Sequence, residues 1–329
     1  MHTKHVDGVQ DAVSFNKEAL KAQAVAAFTY ALKQQKNEEI SPTPELYGAD
    51  FSNDSTKYQA YFSVSEAKVK FGTSYSEVNK KVTEAVNEVY GQYLVYDNEP
   101  IAAAYHSISS GITESAKNVW GDDISYLKEA KSEYDLQSPD YEYTVKFSAD
   151  ELKNKLLNYK NDLTFEGNPK DWIKLGESTS SGTVKSVNIG TSSLSGAEFR
   201  SALGLRSACF TVTFSNNTFS INTKGYGHGV GMSQYGANEL AKNGSMYDDI
   251  LYHYYTGVKT VNINIIIQKK TKKGEIKEVN VSEHLSELKI IKDAADEDFV
   301  VFSGEQVPRA KIYQVAGHDP VEYPAVCLV

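Results

Sequence analysis

One stretch of the chain combines glycines and polar side chains in a pattern that suits ligand binding. In the run from Gly225 to Gly236, glycines occupy the alternate positions 225, 227, 229 and 231. Glycine tolerates positive φ and lets a backbone approach a ligand or another backbone closely. The side chains of the run that can hydrogen-bond a hydroxylated substrate are His228, Ser233, Gln234 and Tyr235. The stretch therefore indicates carbohydrate binding rather than phosphate binding.

Two nucleotide-binding motifs and one structural role are the alternative interpretations of this run. A dinucleotide-binding fingerprint needs a preceding hydrophobic strand and an acidic residue about 20 residues later, and a P-loop needs a Gly-Lys-Ser/Thr ending. The run fits neither pattern cleanly. The structural alternative is that the glycines form a tight turn or bulge in a β-rich core, and that His228 is a buried histidine with satisfied hydrogen bonds. From the residues alone, ligand binding and this structural role are about equally supported.

The composition predicts a globular protein. With 329 residues, of which 40% are hydrophobic, the chain can form the core of one large or two ordinary domains. Its net charge of -9 argues against a protein that binds duplex nucleic acid. No run of 18 apolar residues exists, and no apolar signal segment follows residues 1–5. We therefore expect no membrane span, and a protein that is soluble as written, without a signal or an anchor.

Cysteine and tyrosine usage narrows the chemistry further. Cys209 and Cys327 could pair, but Cys209 lies in an apolar run that is typical of an inert buried thiol. Neither a disulfide framework nor a cysteine-based metal site is visible, and we expect no metal and no cofactor. The 22 tyrosines suit a groove that faces sugars, although tyrosines also simply populate β-strands.

The first half of the chain predicts helices followed by a strand pair. A helix is expected over residues 16–36, with Asn16 as its N-cap. It should be buried along one stripe, formed by Leu20, Ala24, Ala27 and Ala31. A second helix is expected near 75–90. Strands at 92–96 and 100–105, joined by a turn at 97–98, then deliver the polar segment His106–Glu114 at a strand end. Polar residues at such an exit are candidates for a functional site.

The second half predicts more mixed structure. Residues 145–175 are expected to form a helical insertion, which starts at Ser148 with a capping box to Glu151 and covers the core. Further expected elements are strands at 184–189 and 210–214, a helix at 234–243, a strand at 261–265 and a hairpin around Gly274. Residues 283–329 show no chemistry, and His284 and His318 are expected at the surface.

Several separated blocks together resemble the stage II sporulation protein D family, with its SpoIID/LytB domain. The blocks are Phe15–Ala27, His106–Glu114 with Val119-Trp120-Gly121, Glu198–Ser207, and the segment from Gly225 to His253-Tyr-Tyr-Thr-Gly257. The resemblance covers roughly residues 8–260. It implies an α+β fold, a SpoIID/LytB-like domain at 1–260 that lacks the family's N-terminal sequence, and a β-rich C-terminal extension at 261–329.

The resemblance also implies a function. Such proteins are lytic transglycosylases that cut peptidoglycan glycan strands stripped of stem peptides, during engulfment of the forespore. One carboxylic acid protonates the leaving oxygen and then helps the C6 hydroxyl close a 1,6-anhydro ring. The implied partners are glycan strands and other engulfment proteins such as an amidase, with no nucleic acid. The implied location is the cell envelope between forespore and mother cell.

The catalytic position departs from the family pattern. By the resemblance, a glutamate lies five residues before the phenylalanine that corresponds to Phe15, and this chain has Gln10 there. Glutamine cannot donate the catalytic proton, so a rate loss of about 10² to 10⁴ is expected. Asp7, Asp11 and Glu114 are the other candidate acids. The alternative functions are a catalytically inactive glycan-binding or engulfment-scaffold module, and a truncated domain without activity.

The predicted groove combines the first helix, the His106–Glu114 turn and the glycine run. His106, His228 and His253 could meet in space, but hydrogen bonding is favoured over a metal role for them. Phe28, Trp120 and Arg206 are expected to be structural, and Trp120 could also stack on a sugar face. The candidate substrate-binding residues are His106, Ser107, Ser109, Gly111, Thr113, His228, Ser233, Gln234 and Tyr235.

Overall fold

The computed structural model describes residues 15–52, 54, 57–59 and 62–262, together with the backbone of five short strands further on. The chain divides into two compact units. The first unit is Met1–Ala103, Met246–Asp248 and Val258–Val329, and the second is Ala104–Ser245 and Asp249–Gly257. Helices and several small sheets occur together, which confirms the expected α+β class. No helix within the described residues is long and apolar enough to cross a membrane.

The helices of the described residues are numbered in chain order. The α-helices are α1 Lys17–Ile40, α2 Val64–Phe71, α3 Tyr75–Glu88, α4 Ala116–Trp120, α5 Ala149–Tyr159, α6 Gly196–Leu203, α7 Gln234–Lys242 and α8 Tyr247–Tyr254. Short 3₁₀ helices lie at Pro44–Leu46, Gly72–Ser74, Glu133–Gln137 and Pro169–Asp171.

The strands are short and are numbered in the same way. They are β1 Phe51–Ser52, β2 Gln92–Tyr96, β3 Glu99–Pro100, β4 Tyr105–His106, β5 Glu142–Ser148, β6 Ile173–Leu175, β7 Ser186–Ile189, β8 Ser192–Ser195, β9 Phe210–Ser215, β10 Thr218–Lys224, β11 Met232–Ser233, β12 Lys259–Asn262, β13 Ile266–Lys270, β14 Ile276–Asn280, β15 Val301–Phe302, β16 Lys311–Tyr313 and β17 Val321–Glu322.

Helix α1 is the central element of the first unit, as predicted. The Asn16 side chain caps it by accepting a hydrogen bond from the Glu18 amide at 2.9 Å. The buried side of the helix differs from the predicted stripe, because Leu20 and Ala24 are only half-buried. Phe28, expected in the core, is also half-buried. The buried apolar side chains of α1 are Ala19, Ala22, Val25, Ala26, Ala27 and Ala31.

Strand β2 packs on α1 and pairs with β3 and β12. The β2–β3 turn has positive φ at Asp97 and Asn98, as a tight hairpin turn requires. The strand predicted at 100–105 is wrong: β3 ends at Pro100, and β4 begins only at Tyr105. Residues 101–104 between them lie where the chain passes from the first unit to the second and are not part of a strand. The Ile101 amide still donates to the Leu94 oxygen of β2, and the Ala104 oxygen accepts from the Met232 amide of β11.

The second unit contains a hydrophobic core between two antiparallel sheets and two helices. One sheet has the strand order β5-β10-β9 and the other β6-β7-β8. Helix α5 has the predicted capping box between Ser148 and Glu151, but the helical insertion predicted over 145–175 is wrong in extent. The helix spans only Ala149–Tyr159, and strands β5 and β6 occupy the two ends of the predicted range. Its Leu152 and Leu156 are fully buried in the core cluster.

Expected elements elsewhere are largely present. Strand β9 and helix α7 match the expected strand at 210–214 and the expected helix at 234–243, and β7 covers the second half of the strand expected at 184–189. Strands β13 and β14 pair antiparallel, which confirms the hairpin predicted around Gly274. Residues 263–265 of the predicted strand, His284, His318 and Cys327 lie outside the described residues.

The glycine run lies alongside residues 104–114 of the same unit. Strands β4 and β11 pair in parallel, Ile108 bridges Tyr226, and Glu114 bridges Val230. All four alternating glycines have positive φ. A Cβ atom at Gly225 would lie 2.7 Å from the Ile108 oxygen, and one at Gly231 would lie 2.0 Å from the Ala104 oxygen. The close approach that the glycines permit is therefore to another backbone segment of the chain.

This packing predicts the effect of Gly231→Ala on stability. Gly231 has φ +72° and no room for a Cβ, whereas Gly244 has φ +96° and no atom within 4 Å of an added Cβ. Gly244→Ala should cost about 1–2 kcal/mol of the free energy of unfolding, from backbone strain alone. Gly231→Ala should cost about 1–3 kcal/mol more, because the neighbouring carbonyl must move. Urea unfolding followed by circular dichroism measures both, and equal losses would contradict the packing argument.

Candidate functional site

His106 lies at the base of the site, on strand β4, with 4% of its surface exposed. Its Nδ1 lies 3.1 Å from the Val230 carbonyl oxygen. Since a carbonyl only accepts, Nδ1 carries the proton, and Nε2 is a buried acceptor without a partner among the described residues. Burial, followed by the charges of His228 and Arg200, lowers the pKa of His106 to about 3. The imidazole is therefore neutral at neutral pH.

His228 lies in the glycine run beside His106, and their ring centres are 5.7 Å apart. Its Nδ1 accepts a hydrogen bond from the Val230 amide at 3.1 Å, and the ring also bonds to the backbone of Tyr105. Burial, helped by the charge of Arg200, lowers the pKa of His228 to about 4. These contacts support the structural interpretation of this histidine, because both of its polar edges are used within the protein.

Trp120 covers His228 from the end of helix α4. The two ring centres are 5.4 Å apart, and 45% of the tryptophan surface is exposed. Helix α4 holds the indole at a fixed place because Ser115 caps its start and Gly121, with φ +91°, ends it directly after the tryptophan. An exposed aromatic face above a rigid histidine is a platform on which a sugar ring can stack.

The third histidine and the cysteine do not join this pair. Nε2 of the exposed His253 bonds to the Lys131 carbonyl oxygen at 2.6 Å. The half-buried Cys209 thiol points at the Ser181 oxygen at 3.7 Å, and burial raises its pKa. Across the part of the chain that the structure describes, no group of three or more metal-ligating side chains is present.

A buried carboxylate, Asp135, connects the glycine run to residues 106–114. It accepts hydrogen bonds from the Ser109 amide at 2.8 Å and from the Ser233 hydroxyl at 2.9 Å. Burial raises the pKa of Asp135 above its usual value. Nearby, Ser132 shares a 2.7 Å hydrogen bond with the Tyr254 hydroxyl. Asp135 was not predicted from the sequence, because locally it is simply an aspartate within a short polar 3₁₀ helix.

Glu114 lies in a second polar cluster and is 1% exposed. Its carboxylate accepts hydrogen bonds from the Thr179 hydroxyl at 2.5 Å, the Ser181 hydroxyl and the Asn118 amide at 3.0 Å. Its own amide donates to the Gly229 oxygen at 2.7 Å. Glu114 is thus held by internal contacts. The sequence analysis missed the turn at 178–183, although its run of serines and threonines was a visible signal.

The remaining candidate residues have mainly internal roles. Ser109, Thr113 and Ser233 are buried, and their side chains bond to neighbouring backbone or to Asp135. The Gly111 oxygen accepts from the Ser132 amide at 2.9 Å. The other three are half-buried residues where β4 meets the start of α7: Ser107, whose oxygen accepts from the Tyr235 amide at 3.0 Å, Gln234 and Tyr235.

Three of the candidate catalytic positions are near the N-terminus of the chain. Asp7, Gln10 and Asp11 lie outside the described residues. Helix α1, the predicted third wall of the groove, belongs to the first unit, whereas residues 106–114 and the glycine run belong to the second. Of the predicted groove, the structure brings together the two segments of the second unit.

Two arginines lie near the glycine run and differ in their surroundings. The Arg206 guanidinium lies 4.1 Å from the Tyr143 ring centre and 5.3 Å from that of Tyr226, and it bonds to Asp140 at 3.2 Å. This arrangement supports the structural role predicted for it. Arg200, on helix α6, is half-buried, and its Nε donates to the Leu205 oxygen at 3.3 Å. Its charge lowers the pKa of His106 and of His228, while burial, opposed by nearby Tyr226, lowers the pKa of Arg200 itself.

Comparison with known proteins identifies the family of the chain. The model of the SpoIID family, described as stage II sporulation protein, matches residues 9–96. Stage II sporulation protein D of Bacillus subtilis (strain 168) is 38% identical over 256 residues, which is 78% of this chain and 72% of that protein. The protein of the same name from Bacillus amyloliquefaciens is also 38% identical, over 258 residues, again 78% of this chain and 72% of that protein.

A more distant relative carries a different name. The amidase enhancer of Bacillus subtilis (strain 168) is 29% identical over 295 residues, which covers 74% of this chain and 38% of that protein. The extent and identity of the match to the two Bacillus proteins agree with the sequence blocks that flank the site. The chain therefore belongs to the stage II sporulation protein D family of sporulation proteins.

Proposed function

We propose that this protein remodels peptidoglycan during sporulation and binds glycan strands that have lost their stem peptides. The observation that carries the proposal is the exposed indole of Trp120, which lies tilted against His228 with ring centres 5.4 Å apart, next to the paired backbones of the glycine run and residues 104–114. Stacking of an aromatic ring on the apolar face of a sugar suits such a platform. Half-exposed Tyr226 and Tyr143, on either side of Arg206, provide further aromatic surface nearby.

The polar residues divide into two roles under this proposal. Buried Ser109, Thr113 and Ser233 hold the two segments of the site together and do not touch the glycan. Half-buried Ser107, Gln234 and Tyr235 lie at the start of α7 and supply hydrogen bonds to sugar hydroxyls. His106, His228, Gly111 and Glu114 act through their internal contacts, which fix the shape of the face.

The partners and location follow from the same proposal. The amidase enhancer among the relatives is named for an effect on an amidase. An amidase removes stem peptides and so produces the denuded strands that we propose as substrate, and we infer that this protein works beside such an enzyme. Both would act in the cell envelope between forespore and mother cell, where the glycan lies.

This binding role is compatible with an active transglycosylase and with a glycan binder of low activity. The residue at position 10 distinguishes the two. The lytic transglycosylase reaction needs a carboxylic acid that protonates the leaving oxygen. By the resemblance to the family, Gln10 takes the position of that acid, and it falls within the range 9–96 that the family model matches. Glu114 is an unsuitable replacement because it is buried and three side chains bond to its carboxylate. We therefore propose a glycan binder of low activity, which a glutamate at position 10 would convert into a transglycosylase.

The first test compares the chain with its Gln10→Glu variant on denuded glycan strands. Mass spectrometry of the products detects 1,6-anhydro ends. The variant should form them about 10² to 10⁴ times faster, because general acid catalysis is restored. Gln10→Asn is the matched control and should stay as slow as the parent. Equal rates for parent and Gln10→Glu would mean that another group is the acid.

The second test uses the two tryptophans of the chain. Trp120 is 45% exposed, whereas Trp172 is 9% exposed in the core, so a Trp172→Phe variant leaves Trp120 as the fluorescent reporter. Denuded glycan should change its emission. Trp120→Ala should weaken binding about threefold to tenfold in a calorimetric titration, since aromatic stacking contributes about 0.5–1.5 kcal/mol. An unchanged affinity in Trp120→Ala would remove the indole from the binding face.

The imidazole beneath the binding face predicts a loss of stability in acid. The folded pKa of His106 is about 3, below the ordinary histidine value of about 6.5. Its contribution is therefore complete above pH 6.5 and is lost as pH falls, because the unfolded chain binds a proton that the folded chain does not. His106→Asn keeps a donor for the Val230 oxygen but does not titrate. The free energy of unfolding, measured with urea between pH 6.5 and 4.5, should fall as the pH falls. Its slope against pH should be smaller in the variant by up to about 1.4 kcal/mol per pH unit. The same slope in both proteins would contradict a neutral buried His106.

A further inference from the structure

We propose that Arg200 forms a subsite for the lactyl carboxylate of muramic acid in the glycan strand. The inference rests on the proposed glycan-binding function and names the chemical group that gives it specificity. A strand without stem peptides still carries this carboxylate on every muramic acid residue, whereas a chain of N-acetylglucosamine alone carries none. An arginine that pairs with it would distinguish peptidoglycan from other acetylated glycans.

The first observation is the contrast between the two arginines of residues 15–262. Arg206 has an acidic partner in Asp140 and aromatic rings around its guanidinium. Arg200 is also partly buried, but within the described residues it forms no ion pair, and its one side-chain hydrogen bond runs from Nε to the Leu205 oxygen. The donors on its two Nη atoms are left for another partner.

Such a guanidinium is unusual in this chain. Acidic residues outnumber basic ones, 43 to 34, so an acidic neighbour is easily supplied by the protein itself. Removing a positive charge from water without a negative partner is costly, and burial lowers the pKa of Arg200 from its ordinary value. An anionic ligand would offset that cost, and a guanidinium can bind a carboxylate through two parallel hydrogen bonds.

The second observation is where this charge acts. The Arg200 charge lowers the pKa of His106 and of His228. The Leu205 oxygen that accepts from its Nε belongs to the residue before Arg206, whose own oxygen accepts from the Gly227 amide at 2.9 Å. Arg200 is thus held next to the glycine run that also carries His228. Tyr226 is 39% exposed, and the Leu205 oxygen anchors the Nε edge of the guanidinium. A guanidinium anchored in this way near an exposed tyrosine suits recognition of a sugar that bears a carboxylate.

The test compares two ligands that differ only in this group. Denuded glycan fragments and the same fragments with their lactyl carboxyl reduced to an alcohol are titrated into the full chain. The parent should bind the carboxylate form about tenfold to a hundredfold more tightly, because hydrogen bonds to charged groups contribute at that level. That preference should shrink with added salt.

Variants locate the effect. Arg200→Gln should abolish the preference and leave the affinity for the reduced glycan unchanged, which also shows that the variant is folded. Arg200→Lys should keep part of the preference, because it retains the charge without the planar fork. Lys224→Gln, which removes an exposed charge on strand β10, is the matched control and should keep the full preference.

The outcomes separate this inference from the function on which it rests. Equal binding of the two glycans by the parent overturns the carboxylate subsite but leaves the glycan-binding function intact. A preference that survives in Arg200→Gln, or is lost equally in Lys224→Gln, overturns the assignment to Arg200. If the parent binds neither glycan, the proposed function itself fails.

Discussion

The site depends on the close contact between two backbone segments, the glycine run and residues 104–114. Side chains would separate them, since an added Cβ at Gly227 would lie 2.6 Å from Cβ of His106. With glycine there, the two backbones exchange hydrogen bonds directly, as between Ile108 and Tyr226 at 3.0 and 2.7 Å. The positions of the histidines, of Glu114 and of the start of helix α7 all follow from this contact.

Around this backbone contact, the buried polar groups have structural roles, whereas the exposed aromatic groups are accessible to a ligand. Asp135 and Glu114 each accept hydrogen bonds from separate parts of the chain. These bonds hold the segments together in a region where glycines have no side chains to make apolar contacts. A carboxylate that is fully supplied with hydrogen bonds stabilises one arrangement of its neighbours, because any other would leave a buried polar group unpaired. In the proposed function, binding is left to the exposed side chains, above all Trp120.

The sequence predicted the elements with strong local signals. Asn16 and the Ser148–Glu151 pair marked helix starts correctly, because capping uses hydrogen bonds between residues that are neighbours in sequence. The predicted extents of the 100–105 strand and of the 145–175 helix were wrong. Strand pairing and the division into units depend on residues that are distant in sequence, and a local pattern does not show them. The glycine run stood out by its composition, but the sequence pattern could not tell whether it approaches a ligand or its own backbone.

The site was predictable only in part for the same reason. His106, His228 and Trp120 stood out by their motifs, and the structure brings them together. Asp135 and the turn at 178–183 were missed because their importance comes from partners distant in sequence: Ser233 for the aspartate and Glu114 for the turn. No local pattern records such a pairing.

These long separations also determine when the site can form during synthesis. His106 and Val230 are 124 residues apart, and Asp135 and Ser233 are 98 residues apart. The hairpin of strands β9 and β10 needs only neighbouring residues and can form early, whereas contacts between distant residues must first close a long loop. A nascent chain that has not yet emerged from the ribosome as far as Val230 lacks one partner of both of these contacts. The face that we propose for glycan binding is therefore completed late in folding.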